Sequence, residues 1–333
     1  MKKRFNKIKK FVVEEYKFLI ICFIILFLGL FRLPYNLYVG GGIISLEKRM
    51  EVENAYETKG SLNISYVRSL RATIPSYLLS YVFDWERESI ENVKIDSEDN
   101  AKEMWAREKI YLQEANDNAI ISAYKLADEE INIKNELLKV LYVDKDSEVD
   151  LKTGDIILSI DGIKINTNSD LEKILENKNI GDILKVEYNR SGKIDNGNVK
   201  VREIDGKKKL GIYIIKMYEY DTKRKVTLDF ADREGGSSAG FMLSLAIYNK
   251  LTPFDLTKGR KIVGTGTIDS FGNVGEIGGV KYKLAGAVSS DADIFLVPTG
   301  NYEEAMKEKK ENNYDIDIVE VKTLSDAVEY LTR

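Results

Sequence analysis

The sequence of 333 residues contains no histidine and a single cysteine, Cys22. Without an imidazole, the chain cannot form a catalytic triad in which histidine shuttles the proton. Zinc sites built from histidine and cysteine are excluded as well, and we expect neither a metal nor a cofactor. Because Cys22 lies in an apolar run, the rest of the chain has no disulfide, which suits either side of a cell membrane.

Two further features are missing from the sequence. The pattern GxxxxGK[ST] is absent, so no ATP-hydrolysing loop can be recognised. The net charge is −4, with no basic excess beyond the extreme N-terminus, which argues against nucleic acid as a partner. Hydrophobic residues make up 44% of the chain, enough for folded cores, and the length predicts two or three domains.

The N-terminus combines a basic tail with an apolar run. Residues 1–10 carry six basic side chains and no acid, and an apolar stretch follows from Phe18 to Phe31. We interpret residues 1–15 as a cytoplasmic tail and 16–39 as a single transmembrane anchor. This topology places the remaining domains outside the cell. A cleaved signal peptide is the alternative, although no A-x-A pattern follows the apolar run.

Residues 40–136 give a weaker pattern. Short alternating runs up to about residue 97 predict a small mixed or β-rich stalk. A helical spacing of apolar residues then extends from about Ser97 to Ile131, with Asp96 or Ser97 as its N-cap. We interpret the apolar stripe of this helix as core packing rather than as a partner-binding surface.

Residues 137–205 contain strands separated by turn signals. The turns Gly154–Asp155 and Asp161–Gly162 flank an apolar strand, Ile156–Ile160, and a short helix follows from about Ser169. The run Leu151–Ile157 with Ile160–Gly162 resembles a PDZ domain.

This resemblance implies that an extended peptide adds as a strand to an exposed sheet edge, beside a helix that shapes its pockets. The sequence departs from the family at Glu148–Val149, where a pair of small residues is usual, and no G-Φ-G-Φ carboxylate-binding loop precedes the domain. A PDZ-like fold is therefore predicted more firmly than binding of a free C-terminus. A spacer domain that binds nothing is the alternative.

Residues 206–333 contain a glycine-rich loop that leads into an apolar helix. The loop, Arg233–Gly240, places Ser237 and Ser238 at the helix N-terminus. Small neighbours would expose a hydroxyl there, and unpaired N–H groups of the first turn would stabilise a developing oxyanion. A serine at this position is also an ordinary helix cap.

A second element follows in the strand Lys261–Ser270 and the loop Phe271–Lys283. Together the two elements resemble the proteolytic domain of Lon-type proteases. The matches are S-A-G at Ser238–Gly240, T-G-x-I at Thr265–Ile268, G-x-V at Gly272–Val274 and I-G-G-Φ-x-x-K at Ile277–Lys283. The order of segments is similar to that of membrane-anchored bacterial PDZ–Lon proteases.

The resemblance implies a role for each matching residue. The serine before Ala-Gly, Ser238, is the nucleophile, although Ser237 stands where the family usually has proline. Lys283 is the general base and Thr265 the hydroxyl that orients its amine. Helix geometry alone leaves Lys281 as a rival, and only the family alignment favours Lys283.

We therefore expect an α+β protein with a transmembrane helix, a PDZ-like domain and a Lon-type proteolytic domain. Its predicted function is ATP-independent, membrane-anchored endopeptidase activity on extracellular or flexible surface peptides and proteins, through a Ser–Lys dyad. The family resemblance also implies a homo-oligomer. The alternatives are a catalytically silent peptide-binding or assembly module, and an amidase or esterase that uses the same dyad.

Overall fold

The computed structural model describes residues 13–94 and 100–333 and divides into two compact units. The first comprises Met1–Val39 with Val67–Ile95, and the second comprises Gly40–Tyr66 with Asp96–Arg333. Two long strands, β1 (Arg32–Ser45) and β3 (Ser61–Thr73), have residues in both units. The molecule is of the mixed α+β class.

The described residues of the first unit include three helices and an antiparallel strand pair. Its helices are α1 (Tyr16–Leu30), α2 (Ile74–Val82) and α3 (Ile90–Val93). Strand β4 (Glu86–Ser89) pairs with the first half of β1, with Tyr35 opposite Ser89. A capping box begins α2, because Thr73 and Ser76 exchange side-chain and backbone hydrogen bonds and Pro75 occupies the first turn.

The structure of this unit corrects the predicted transmembrane anchor over residues 16–39. The helix ends at Leu30, Phe31 is extended, and residues from Arg32 onward form strand β1. Pro34 explains the change, because proline has no N–H for a helix and favours extended backbone in the residue before it. Within the described ranges, no helix is both long enough and apolar enough to cross a membrane.

One part of the second unit is a sheet flanked by helices. In this unit β14 (Lys261–Gly264) pairs in parallel with the first half of β3 and with β17 (Ile294–Pro298), and β17 pairs in parallel with β18 (Asp317–Val321). Small pairs lie outside it, namely β2 (Met50–Val52) with β13 (Val226–Leu228), and β15 (Thr267–Ile268) with β16 (Val274–Gly275). A 3-10 turn covers Leu46–Lys48.

Helices cover both faces of this sheet. They are α4 (Ala101–Leu126), α6 (Gly240–Leu251), α7 (Val280–Val288), α8 (Thr299–Asn312) and α9 (Leu324–Thr332). Consecutive residues of β14 point to opposite faces, so Ile262 packs in the core with α4, α6 and α9, whereas Val263 packs with α7 and α8.

The predicted stalk is not a separate element. Leu62 and Ile64 of β3 lie in the same core as α6, and β3 pairs residue by residue with β14. Residues 40–66 therefore belong to the same unit as the residues that the sequence assigned to the C-terminal domain, and the first half of β3 is part of its sheet. The alternation in SLNIS reflects a strand that is buried on both faces, because Asn63 and Ser65 are buried as well.

The predicted long helix is present as α4, and its interpretation as core packing is confirmed. Asn100 caps it by accepting hydrogen bonds from two backbone N–H groups of the first turn. The predicted caps Asp96 and Ser97 lie outside the described residues. Its central face is buried against α6, where the hydroxyls of Ser122 and Ser244 are 2.8 Å apart.

The PDZ-like region is a five-stranded antiparallel sheet in the order β12-β5-β6-β8-β9, with β7 attached to β6. Its elements are β5 (Ile131–Val143), β6 (Ile156–Ile160), β7 (Ile163–Lys164), α5 (Asn168–Glu176), β8 (Ile183–Arg190), β9 (Lys193–Lys200), the hairpin β10 (Arg202–Ile204) with β11 (Lys207–Lys209), and β12 (Ile212–Thr222). Strand β12, which the sequence assigned to the next domain, pairs with β5 from Ile212 to Thr222. The predicted boundary at residue 205 thus separates two strands of one sheet.

Candidate active site

The loop before Ser238 is held against α4 through its two glycines. The N–H of Gly236 donates to the Glu108 carbonyl oxygen over 2.9 Å, and Gly236 has φ +87°. A Cβ on Gly235 would lie 2.9 Å from the Cβ of Glu108. The loop therefore needs glycine at both positions, for close approach at Gly235 and for left-handed backbone at Gly236.

Ser238 itself is tied to the chain that leaves strand β14. Its carbonyl oxygen accepts hydrogen bonds from the Gly266 N–H at 2.9 Å and from the Thr265 hydroxyl at 3.2 Å. The Phe241 N–H donates in return to the Gly266 carbonyl oxygen at 3.0 Å. Two predicted site residues, Ser238 and Thr265, are thus brought into direct contact.

Only part of the helix N-terminus remains available for an anion. The N–H groups of Gly240 and Phe241 donate to carbonyl oxygens of Ser237 and Gly266. Within residues 13–94 and 100–333, the N–H groups of Ser238 and Ala239 donate no hydrogen bond. These two donors, next to a half-buried serine, can hold a developing oxyanion.

Lys283 lies on the inner face of α7. Its side chain belongs to a residue that is only 4% exposed, and burial lowers the pKa of its ammonium to about 8. Among the described residues, no carboxylate or hydrogen-bond acceptor is paired with it. An amine with this pKa is neutral in about a tenth of the molecules at pH 7 and in about half of them at pH 8.

The neighbouring Lys281 has a different environment. It is half-exposed, and its ammonium lies 4.9 Å from the centre of the Tyr282 ring. The two lysines that the sequence could not separate by helix geometry thus differ in burial.

The lysine and the serine approach the same strand from different elements. Helix α7 packs Val280 and Leu284 against Val263 of β14, and Thr265 directly follows that strand. In the described residues, no hydrogen bond joins Lys283 to Ser238 or Thr265. The Thr265 hydroxyl donates to the Ser238 backbone, which leaves the lone pairs of that hydroxyl to accept a hydrogen bond from an amine.

Asn301 supports the start of α7, and sequence reasoning missed it. It is 6% exposed, accepts a hydrogen bond from the Ile277 N–H at 2.8 Å and donates to the Ile277 carbonyl oxygen at 3.0 Å. The two residues are 24 positions apart, so no short-range pattern signals the contact. Gly279, with φ +71°, then opens the helix.

Strand β12 forms one edge of the PDZ-like sheet. Both sides of β5 are paired, with β12 and with β6, so β12 is the edge strand at this side. Ile212 and Ile214 are partly buried against the same core as Leu171 and Ile174 of α5. The sequence feature that marks the start of β12 is Leu210–Gly211, because Gly211 adopts a left-handed backbone with φ +66°.

Strand β12 also contacts the elements around the candidate site. The Tyr218 N–H and the Tyr220 hydroxyl donate to Asp117 of α4 over 3.4 and 3.3 Å, and burial raises the pKa of Asp117 to about 6. The Tyr218 hydroxyl lies 3.1 Å from the Ser270 hydroxyl, and Lys125 donates to the Ser270 carbonyl oxygen. Strand β12 therefore lies next to the loop after Thr265.

No arrangement in the described ranges groups three or more histidine, cysteine, aspartate or glutamate side chains as a metal site would require. The candidate chemistry depends on a serine hydroxyl, a buried amine and backbone donors. That combination suits proton transfer to the amine and nucleophilic attack by serine.

Comparison with known proteins identifies the family of one region of the chain. Residues 125–201 match the PDZ domain family, and no Lon-type proteolytic domain family matches. A Lon protease of Campylobacter jejuni is 32% identical over 183 residues, which cover 53% of this chain and 22% of that protein. The chain therefore contains a PDZ domain and is similar over about half its length to part of a Lon protease, of which it spans about a fifth.

Solved PDZ structures are similar over the same fraction of the chain. The PDZ domain of an SdrC-like protein from Listeria monocytogenes is 26% identical, covering 23% of this chain and 86% of that domain, with a TM-score of 0.22. The second domain of a Listeria innocua protein is 28% identical, covering 24% and 83%, with a TM-score of 0.21.

Proposed function

We propose that this chain is a serine peptidase in which Ser238 is the nucleophile, Lys283 the general base and Thr265 a positioning residue. The observation that carries the proposal is the buried Lys283, whose pKa falls to about 8 without a paired carboxylate. Lys283 lies on α7, which packs against β14. Thr265 directly follows β14 and contacts the backbone of Ser238. A structural surface lysine would remain charged and solvated.

The proposed first step begins with neutral Lys283. It takes the proton of the Ser238 hydroxyl as the oxygen attacks the peptide carbonyl carbon and the C=O electrons move to oxygen. The N–H groups of Ser238 and Ala239 donate to that oxyanion. The C–N bond then breaks, and Lys283 returns its proton to the leaving amine, which leaves an acyl-serine.

The second step repeats the proton transfer with water. Neutral Lys283 removes a proton from water as the oxygen attacks the acyl-serine, and the proton then passes to Ser238 as the acid product leaves. Thr265 would accept a hydrogen bond from the amine while donating to the Ser238 carbonyl oxygen. Without an ATP-driven unfolding motor in this chain, flexible or unfolded peptides are the expected substrates.

The test is turnover of an unstructured peptide by the wild-type chain and by Ser238→Ala. We expect cleavage by the first only, with Ser237→Ala as the matched control that keeps most activity. If cleavage persists in Ser238→Ala, the assignment is wrong. An ester substrate tested in parallel separates a peptidase from an esterase that uses the same dyad.

A second candidate function is a silent peptide-binding module, which the PDZ match alone favours. We propose that peptides add to the free edge of β12, beside α5. Replacing the half-buried Ile214 with aspartate should weaken cleavage of protein substrates while sparing short peptides, and Tyr213→Asp on the exposed face serves as its control. Peptide binding without any cleavage by the wild type would favour the silent module.

We also propose that α1 attaches the protein to the cell membrane. The helix has no buried residue, and its exposed side chains are almost all apolar. The extracellular position of the catalytic residues, expected from the basic N-terminus, belongs to this proposal. Protease added to intact cells should cut after residue 43, whereas cleavage confined to permeabilised cells would contradict that orientation.

A further inference from the structure

Helix α1 is apolar on every side. The run from Phe18 to Phe31 contains no charged or amide side chain, and residues around the helix are exposed, for example Phe23 at 67% and Ile25 at 65%. A groove in a folded partner would cover only one side of such a helix. Lipid surrounds a helix completely, so it is the environment that fits this one.

A second apolar surface lies in the same unit. Helix α2 packs beside α1, yet its C-terminal half leaves large apolar side chains in the open. Their exposed fractions are 62% for Leu78, 62% for Tyr81, 75% for Val82 and 59% for Phe83. Because α1 and α2 pack side by side, the exposed apolar side chains of both helices lie in one small unit, where such a concentration indicates a contact surface.

Aromatic side chains with polar tips border this surface. Tyr77 lies 5.0 Å from Tyr35 and 5.7 Å from Tyr81, measured between ring centres. Phe83 stacks on Trp85 at 5.5 Å, and the guanidinium of Arg87 lies 4.0 Å from the centre of the Tyr81 ring. Tyrosine, tryptophan and arginine are the residues that concentrate at the boundary between lipid tails and headgroups.

We propose that residues 74–85, the interfacial segment, form a second membrane contact that lies in the headgroup region beside α1. The inference rests on the proposed membrane attachment of α1 and is independent of peptidase activity. The basic sequence MKKRFNKIKK, with six positive charges, adds attraction to anionic headgroups. The bilayer is the partner we propose, because α1 and α2 pack together, both expose apolar side chains, and aromatic residues lie beside them.

The chain offers a direct reporter, because it has two tryptophans, Trp85 and Trp105. We suggest full-length protein carrying Ser238→Ala and Trp105→Phe, mixed with vesicles of phosphatidylcholine and phosphatidylglycerol in equal amounts. Trp85 emission should shift to the blue. Lipids brominated near the headgroup should quench it more than lipids brominated near the bilayer centre. The matched Trp85→Phe variant, which reports from Trp105 on α4, should show neither effect.

A binding series completes the test. Replacing Leu78 and Val82 together with serine should lower partition into these vesicles about tenfold, since each loses apolar area that enters lipid. Phe254 in the second unit is similarly exposed, and Phe254→Ser should leave the partition into vesicles unchanged. The proposal fails if the protein does not bind vesicles, or if it binds while Trp85 stays unquenched. It also fails if Trp85 shifts with protein concentration alone, which would indicate a second copy on this surface.

Discussion

The serine loop and the lysine helix are held in place by different forces. Ser238 is fixed through its backbone, whose carbonyl oxygen accepts hydrogen bonds from Gly266 and Thr265. The Lys283 side chain has no hydrogen-bond partner among the described residues and is held by packing, on a helix whose Val280 and Leu284 are fully buried. The side chain of Ser238 can thus be changed without loss of its position, whereas the environment of Lys283 determines both its position and its charge.

The largest expected effect follows from this contrast and separates the two lysines. Methionine keeps most of the length and apolar contact of lysine but accepts no proton. Lys283→Met should therefore fold yet lose about 10²–10⁴-fold in kcat/KM on an unstructured peptide. Lys281→Met, the control one position before Tyr282, should keep most of its activity. The reverse pattern would mean that the base is Lys281.

The next effect concerns the support of the lysine helix. Asn301→Ala removes both hydrogen bonds to Ile277 and leaves the backbone N–H and C=O of Ile277 unpaired. Each unpaired buried group lowers the free energy of unfolding by about 1–3 kcal/mol. We expect a lower urea midpoint together with lower activity. Asn312→Ala, on the exposed side of the same helix, is the control. Unchanged stability of Asn301→Ala would show that packing alone holds the start of α7.

A smaller effect should come from Thr265, which is fully buried. Thr265→Val keeps the shape but removes one hydrogen bond to Ser238, while Gly266 still donates to the same oxygen. We expect about a fivefold loss of kcat, from roughly 1 kcal/mol for a neutral hydrogen bond, and a lower pKa in the pH–rate profile, because the Lys283 ammonium loses an acceptor. Thr265→Ser should restore both. A change in stability alone would assign Thr265 a structural role.

The smallest effect is a pH-dependent change in stability, and it comes from Asp117 of α4, which contacts β12. Burial raises the pKa of Asp117 to about 6, so folding favours its protonated form. The carboxyl therefore disfavours the folded state above pH 6, and this cost disappears as pH falls from about 6 towards 4. Asp117→Asn should gain stability relative to wild type at pH 7, with the difference shrinking on acidification. A difference that stays constant with pH would contradict this.

Local patterns in the sequence were sufficient for some elements and not for others. The turn pairs Gly154–Asp155 and Asp161–Gly162 predicted the PDZ strands, because these signals act over a few residues. The membership of β3 in the sheet with β14 depends on pairing between residues 200 positions apart, such as Ser61 with Lys261. No local pattern carries such information, and the same holds for the pairing of β12 with β5.

The candidate site shows the same limit. The motif around Ser238 marked the loop, and the spacing to Thr265 and Lys283 came from family resemblance. The burial that distinguishes Lys283 from Lys281 depends on how α7 packs against β14, and the contact between Asn301 and Ile277 depends on α8. The end of α1 at Leu30 was missed because its apolar run was extended past Pro34.

The most direct test of the central claim is labelling of Ser238 by a fluorophosphonate probe, measured as a rate across pH and localised by mass spectrometry. The account predicts modification of Ser238 at a rate that rises with pH through about 8, the pKa to which burial lowers Lys283. Labelling should be lost in Lys283→Met and kept in Lys281→Met. Equal labelling of Lys283→Met and wild type, or none above Ser238→Ala, would contradict the account.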